Sequence, residues 1–177
     1  MRIFCAALTG ISFALAAAST HAQTQQLSIP EPLQMEHHEI FETLDAATRS
    51  GGSTGQAATK VMTVLQPHFE KEEKFALPQL GALEILSKPG ASISPETAKD
   101  LSARGEKFRT ELPAMLEEHR QIGTALGEME KAAHSEKKEA IAELAKKIVG
   151  HAGMEEKVLY PTSLLIVEYA KLSKRAP

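Results

Sequence analysis

Two stretches of this chain repeat each other. His68-Phe69-Glu70-Lys71-Glu72-Glu73-Lys74-Phe75-Ala76-Leu77-Pro78 reappears 83 residues later as His151-Ala152-Gly153-Met154-Glu155-Glu156-Lys157-Val158-Leu159-Tyr160-Pro161, with the His, both Glu, the Lys and the Pro in register. A second pair, Glu36-His37-His38-Glu39-Ile40 and Glu118-His119-Arg120-Gln121-Ile122, repeats at a spacing of 82. Self-similarity at spacings that agree to one residue predicts two related halves, here two helical hairpins about a pseudo-twofold axis.

Local signals agree with helices and offer almost nothing for strands. Pro30-Glu31-Pro32 opens a first helix that runs to Arg49, with proline in the first turn where its missing donor is harmless, and Gly51-Gly52-Ser53 closes it. A second helix runs from Thr54 to Leu77, ends at Pro78 and is bent at Pro67, whose ring frees the carbonyl of Thr63. Residues 81–94 form a long connection. Ser94-Pro95-Glu96 caps a third helix to Ala133, kinked at Pro113, and a fourth runs from Ser135 to Leu159 and is stopped by Pro161. A short apolar helix from Ser163 to Leu172 packs across one end. The expected architecture is all-α: an up-down-up-down four-helix bundle with a short C-terminal helix.

The polar residues of the repeat fall on the apolar seams. The seams are Leu33, His37, Ile40 and Leu44 in the first helix; Val61, Leu65, His68, Glu72 and Phe75 in the second; Leu112, Met115, His119, Ile122 and Leu126 in the third. In the fourth, Leu144, Ile148, His151, Glu155 and Val158 share one stripe. Each helix therefore aims one histidine inward, and two add a glutamate one turn later. A buried carboxylate without a partner is costly, so two of them among imidazoles call for a cation.

The compartment narrows the choice of cation. Arg2 precedes an apolar run from Ile3 to Ala18, and Ser19-Thr20-His21-Ala22 ends in a signal-peptidase site, so residues 1–22 read as a secretory signal and residues 23–177 as one domain, periplasmic or secreted. No later segment reaches the about 18 apolar residues that span a bilayer, so the mature chain is expected to be free of the membrane. Cleavage leaves 155 of 177 residues and, with Arg2 gone, a net charge of −4 in place of −3. An acidic chain without a basic stripe does not suit nucleic acid. Cys5 leaves with the signal, which removes disulfides and thiolate-ligated zinc or iron-sulfur sites. Any metal is left to His, Asp and Glu.

Donor counting points to two ions. His37, His68, His119 and His151 with Glu72 and Glu155 exceed the needs of one tetrahedral zinc. They fit two metals if each carboxylate bridges, each ion then taking two His and two carboxylate oxygens, with a bridging oxide or hydroxide as fifth ligand and one position open. Imidazole and carboxylate without sulfur favour iron, ahead of manganese and zinc.

The same residues carry a resemblance to the hemerythrin-like, or HHE cation-binding, domains. It rests on Glu-His-x-x-Ile in the first and third helices and on His-x-x-x-Glu-Glu-Lys ending in Leu-Pro or Tyr-Pro in the second and fourth, and it spans residues 30–165. The resemblance implies a four-helix bundle with a carboxylate-bridged di-iron centre, its ligand roles falling on His37, His68, Glu72, His119, His151 and Glu155. Oxygen-carrying members have an additional histidine in the third helix, one turn from the first; here those places hold Met115 and Gly123. The four-His, two-Glu set is similar to the hemerythrin domain of iron-cluster repair proteins, without their cysteine-containing N-terminal segment.

Three functional classes follow. The first is a binding protein that binds, senses or buffers dioxygen, nitric oxide or iron at an open coordination position. The second is a di-iron enzyme that reduces peroxide or oxidises ferrous iron, and the third a structural bundle without metal. The sequence shows no nucleophile or proton relay, and only two tyrosines and no tryptophan for radical transfer, so the first is favoured. His38 lies off the inward stripe and His134 in the turn before the fourth helix; both read as surface residues. Glu73 and Glu156 recur in both halves, either hydrogen-bonding ligand imidazoles or pairing with nearby lysines in solvent. Tyr160 either lies near the metal end of the fourth helix or, as a tyrosine before a terminating proline, packs.

Overall fold

The computed structural model describes residues 27–173. The proposed signal, residues 1–22, lies outside them. Four long helices form the bundle: α1 (Glu31–Thr48), α2 (Gly52–Lys71), α4 (Pro95–Ser135) and α5 (Glu139–Met154). A short α3 (Ala82–Leu86) lies in the long connection, and α6 (Tyr160–Ser173) follows α5. The expected all-α, up-down-up-down bundle is the fold observed. The Ser94 hydroxyl caps α4 by accepting from the Thr97 amide at 3.1 Å.

The turns of the two hairpins are tied together. Gly51 and Gly52 adopt φ 71° and 66°, a left-handed conformation that favours glycine, and a side chain at Gly52 would strike the Glu136 carboxylate. That carboxylate accepts from the Ser53 amide at 2.6 Å and the Thr54 hydroxyl at 2.8 Å, while Lys138 Nζ donates to the Ser50 and Gly51 carbonyls at 2.9 Å each.

Three apolar groups fill the interior. Ile40, Leu44, Val61, Leu65, Ile122, Leu126, Leu144 and Ile148 form the largest. Phe75, Phe108, Met115 and Tyr160 form another, and Leu77, Leu80, Leu101 and Ile166 anchor a third beneath α6. Along α2 and α4 the inward histidines fall between the first two groups, and in α1 His37 lies between Leu33 of the third group and Ile40 of the first.

Two local expectations fail for one shared reason. Both His-x-x-x-Glu helices widen into a π turn at the glutamate, Glu72–Ala76 after α2 and Glu155–Leu159 after α5. The amide of Leu77 reaches back five residues to the Glu72 carbonyl at 2.9 Å, and that of Tyr160 to the Glu155 carbonyl. The wider turn removes the clash a proline ring makes with the carbonyl four residues back. Pro161 therefore does not stop the fourth helix, and α6 continues it from Tyr160 instead of beginning at Ser163. The extra residue also rotates the register: Val158, expected on the inward stripe, is 47% exposed, and Tyr160 takes the buried place. Pro67 and Pro113 both lie inside uninterrupted helices. The connection expected over 81–94 is partly helical, because Leu80, Ala82, Ile85 and Leu86 have an apolar group to bury against.

Candidate metal centre

Each long helix delivers one buried histidine to a single layer. His37 comes from α1, His68 from α2, His119 from α4 and His151 from α5, and none is more than 6% exposed. Glu72 and Glu155 open the two π turns and are 0% and 1% exposed. All six sequence-derived candidates lie in this layer. His38 and His134 do not: they sit on the surface against Glu42 at 3.2 Å and Glu139 at 2.8 Å.

The six side chains divide into two groups within metal-ligand reach, His68, Glu72, His119 and Glu155 on one side and His37, His151 and Glu155 on the other. The carboxylates span them. Glu155 Oε1 lies 3.0 Å from His151 Nε2 and 3.4 Å from His37 Nε2, and its Oε2 lies 3.4 Å from His119 Nε2. Glu72 Oε1 lies 3.3 Å from His68 Nε2, and its Oε2 lies 3.7 Å from His37 Nε2. Glu155 thus presents one oxygen to each group, and Glu72, a member of the first, turns its second oxygen toward His37.

The opposite face of every imidazole meets a further glutamate, and these contacts run once around the bundle. His37 Nδ1–H donates to Glu73 at 3.1 Å, His68 Nδ1–H to Glu118 at 2.9 Å and His119 Nδ1–H to Glu156 at 2.9 Å; His151 Nδ1 faces Glu36 at 3.3 Å. A carboxylate only accepts, so it fixes the proton on Nδ1 and turns the Nε2 lone pair inward, as ligand imidazoles require. Sequence reasoning weighed this role for Glu73 and Glu156 and overlooked it for Glu36 and Glu118. The repeated Glu-His dipeptide carried the signal.

Inside the layer the polar atoms are under-satisfied. Glu72 Oε2 and His151 Nε2 have no hydrogen-bond partner, although His151 Nε2 lies 3.0 Å from Glu155 Oε1. His68 Nε2 and His119 Nε2 face each other at 2.8 Å. Phe69 stacks on His37, centroids 3.9 Å apart and 3° from parallel, which holds that ring in place.

Electrostatics make the layer a cation trap. Burial lowers the pKa of each histidine, but the surrounding carboxylates outweigh it, and all four stand above 6.5. Burial raises Glu155, but its contacts with His119, His151 and His37 hold it well below the usual carboxylate range. Glu72 is raised, by burial and then by the charge on Glu155. One carboxylate is thus strongly anionic and the other disfavours its charge until a cation arrives.

Tyr160, for which the sequence leaves both a place near the metal end of the fourth helix and simple packing open, reaches the layer. Its hydroxyl donates to Glu72 Oε1 and lies 3.5 Å from both His68 Nε2 and His119 Nε2. Burial, then the Glu72 and Glu155 charges, raise the phenol far above its ordinary range. Only the π turn, invisible to a 3.6-residue period, brings it inward.

Residues 28–163 match the hemerythrin HHE cation binding domain. The chain belongs to this family. No curated protein and no solved structure matched the chain. A hemerythrin-like domain with two His/Glu groups sharing a carboxylate is consistent with metal binding at a di-iron-type site. The donors present fit such a pair: four imidazole Nε2 atoms aimed inward, Glu155 common to both groups with Glu72 beside it, and two buried polar atoms still lacking a partner.

Proposed function

We propose that this chain is an exported protein holding a carboxylate-bridged pair of irons, and that it binds, senses or buffers a small ligand, dioxygen or nitric oxide, or iron itself. His37 and His151 hold one ion, His68 and His119 the other, and Glu72 and Glu155 span both. One observation carries the reading: four inward Nε2 atoms and two carboxylates converge, while Glu72 Oε2 and His151 Nε2 lack a partner. Bound iron supplies a coordination position and a change of oxidation state. The chain's own residues fix the imidazole tautomers, through Glu36, Glu73, Glu118 and Glu156, and exclude bulk water from the layer.

A surface recess of about 270 Å³ between α1 and α2 is lined by His37, Phe69 and Glu73, which favours access for a small molecule over a large substrate. Export is supported by the apolar run after Arg2 and the small residues before Gln23. Among the described residues no helix is long and apolar enough to cross a membrane.

Anaerobic titration with ferrous iron, then rapid mixing with oxygenated buffer or nitric oxide, tests the proposal. A coloured adduct that reverses on deoxygenation or purging is expected. Sustained oxygen or peroxide consumption would replace the binding role with an enzymatic one, and failure to take up iron would leave a structural bundle. Cell fractionation should recover a chain beginning at Gln23 outside the cytoplasm; a retained chain beginning at Met1 would contradict export.

A further inference from the structure

The repeat matches the histidines and glutamates of the layer pair by pair, and among the positions where the two halves differ one brings an oxygen into the layer. Leu77 and Tyr160 occupy equivalent positions, 83 residues apart, each five residues beyond a spanning glutamate and each bonded through its amide to that glutamate's carbonyl. Leu77 is hydrocarbon, packed beneath α6. Tyr160, 2% exposed, brings an oxygen into the layer, where it approaches the Nε2 atoms of His68 and His119 at 3.5 Å each and donates to Glu72 Oε1. All three are inward-facing donor atoms of one group, so the phenol oxygen lies on the side where that group's ion is held. Met115, one turn before His119, is buried against Tyr160 in the same apolar group and offers no competing donor. The two unpartnered atoms, Glu72 Oε2 and His151 Nε2, face the other group, and the recess lined by His37 lies on that side as well.

We infer that Tyr160 is a further residue of the metal centre, its phenol oxygen contacting the ion held by His68 and His119 and leaving the ion at His37 and His151 open to an outside ligand. The inference rests on the iron-pair reading. With a ferric ion in place the phenol O–H bond breaks, the proton leaves by way of Glu72, the acceptor it already faces, and is released to solvent, and an oxygen lone pair forms the bond to iron; no electron moves. The two halves, duplicated in sequence, then serve unequal ions.

Tyr160 and Tyr169 are the two tyrosines of the sequence, and Tyr169 is 46% exposed, so the spectroscopic test has one control. The full protein is loaded with ferrous iron and oxidised in air, and its visible absorption and resonance Raman spectra are recorded for wild type, Tyr160→Phe and Tyr169→Phe. Wild type and Tyr169→Phe should show a phenolate-to-iron band with enhanced tyrosine ring modes; Tyr160→Phe should keep two irons and lose both signals. Should Tyr160→Phe fold poorly, Tyr169→Phe grown on ring-deuterated tyrosine replaces it, and the enhanced modes should shift. Two irons in wild type without these signals, or their persistence in Tyr160→Phe, would overturn the inference and spare the iron pair. Absence of iron from wild type would overturn both.

Discussion

His68 and His119 point their Nε2 atoms at each other across 2.8 Å, while the Nδ1 of each is committed to a glutamate on a neighbouring helix. With both rings neutral, two lone pairs confront one another. A proton or a metal ion between them resolves the conflict, so the metal-free protein should depend on protonation where the loaded protein does not.

The pH dependence follows from the direction of the histidine shifts. All four ring pKa values lie above 6.5 in the folded state, burial being outweighed by carboxylate contacts. A raised pKa gives stability that is fully present below the unfolded value and lost as pH rises through the folded one. Metal-free protein should thus melt higher at pH 6 than at pH 9, and the rise in Tm on adding iron should be larger at pH 9. Thermal unfolding of both forms at the two pH values is the check; a metal-free Tm that climbs with pH would contradict it.

Replacing the spanning carboxylates should separate their duties. Glu155 meets three histidines and belongs to both groups, so Glu155→Gln should bring iron below one ion per chain. Glu72 belongs to the His68 and His119 group, and Glu72→Gln should weaken that ion first. Iron analysis alongside far-ultraviolet circular dichroism reads this out, with helicity expected to stay unchanged.

The outer carboxylates should matter without touching metal. Glu118→Ala removes the acceptor that fixes the His68 tautomer, and loss of such a partner typically weakens metal binding about 10–100-fold. Competition with a chelator measures it. His38→Ala and His134→Ala, on surface histidines, should leave affinity within about twofold, since neither side chain reaches the layer.

A packing change far from the site should cost stability alone. A Cβ on Gly81 would abut the Ser28 carbonyl and lie 2.9 Å from its amide nitrogen, so Gly81→Ala should destabilise by about 1–3 kcal/mol. Denaturant unfolding should show this with iron content unchanged.

Much of this was legible in the sequence because a four-helix bundle repeats at 3.6 residues. Leu44, Val61, Ile122 and Ile148 mark their buried faces by spacing, and His37, His68, His119 and His151 lie on the same lines. What was not legible traces to the π turns. They alter hydrogen-bond spacing without altering composition, so a 3.6-residue period places Val158 inside, makes Pro161 a stop and leaves Tyr160 undecided between packing and the layer. The ring of Glu36, Glu73, Glu118 and Glu156 depended on which helices are neighbours, which pattern alone does not give.

The most direct test is metal stoichiometry in protein beginning at Gln23, refolded or expressed with ferrous iron and analysed for all transition metals after oxidation. The account predicts close to two irons per chain, with near-ultraviolet absorption characteristic of a coupled ferric pair. One tightly held zinc, with no iron taken up on reconstitution, would contradict it.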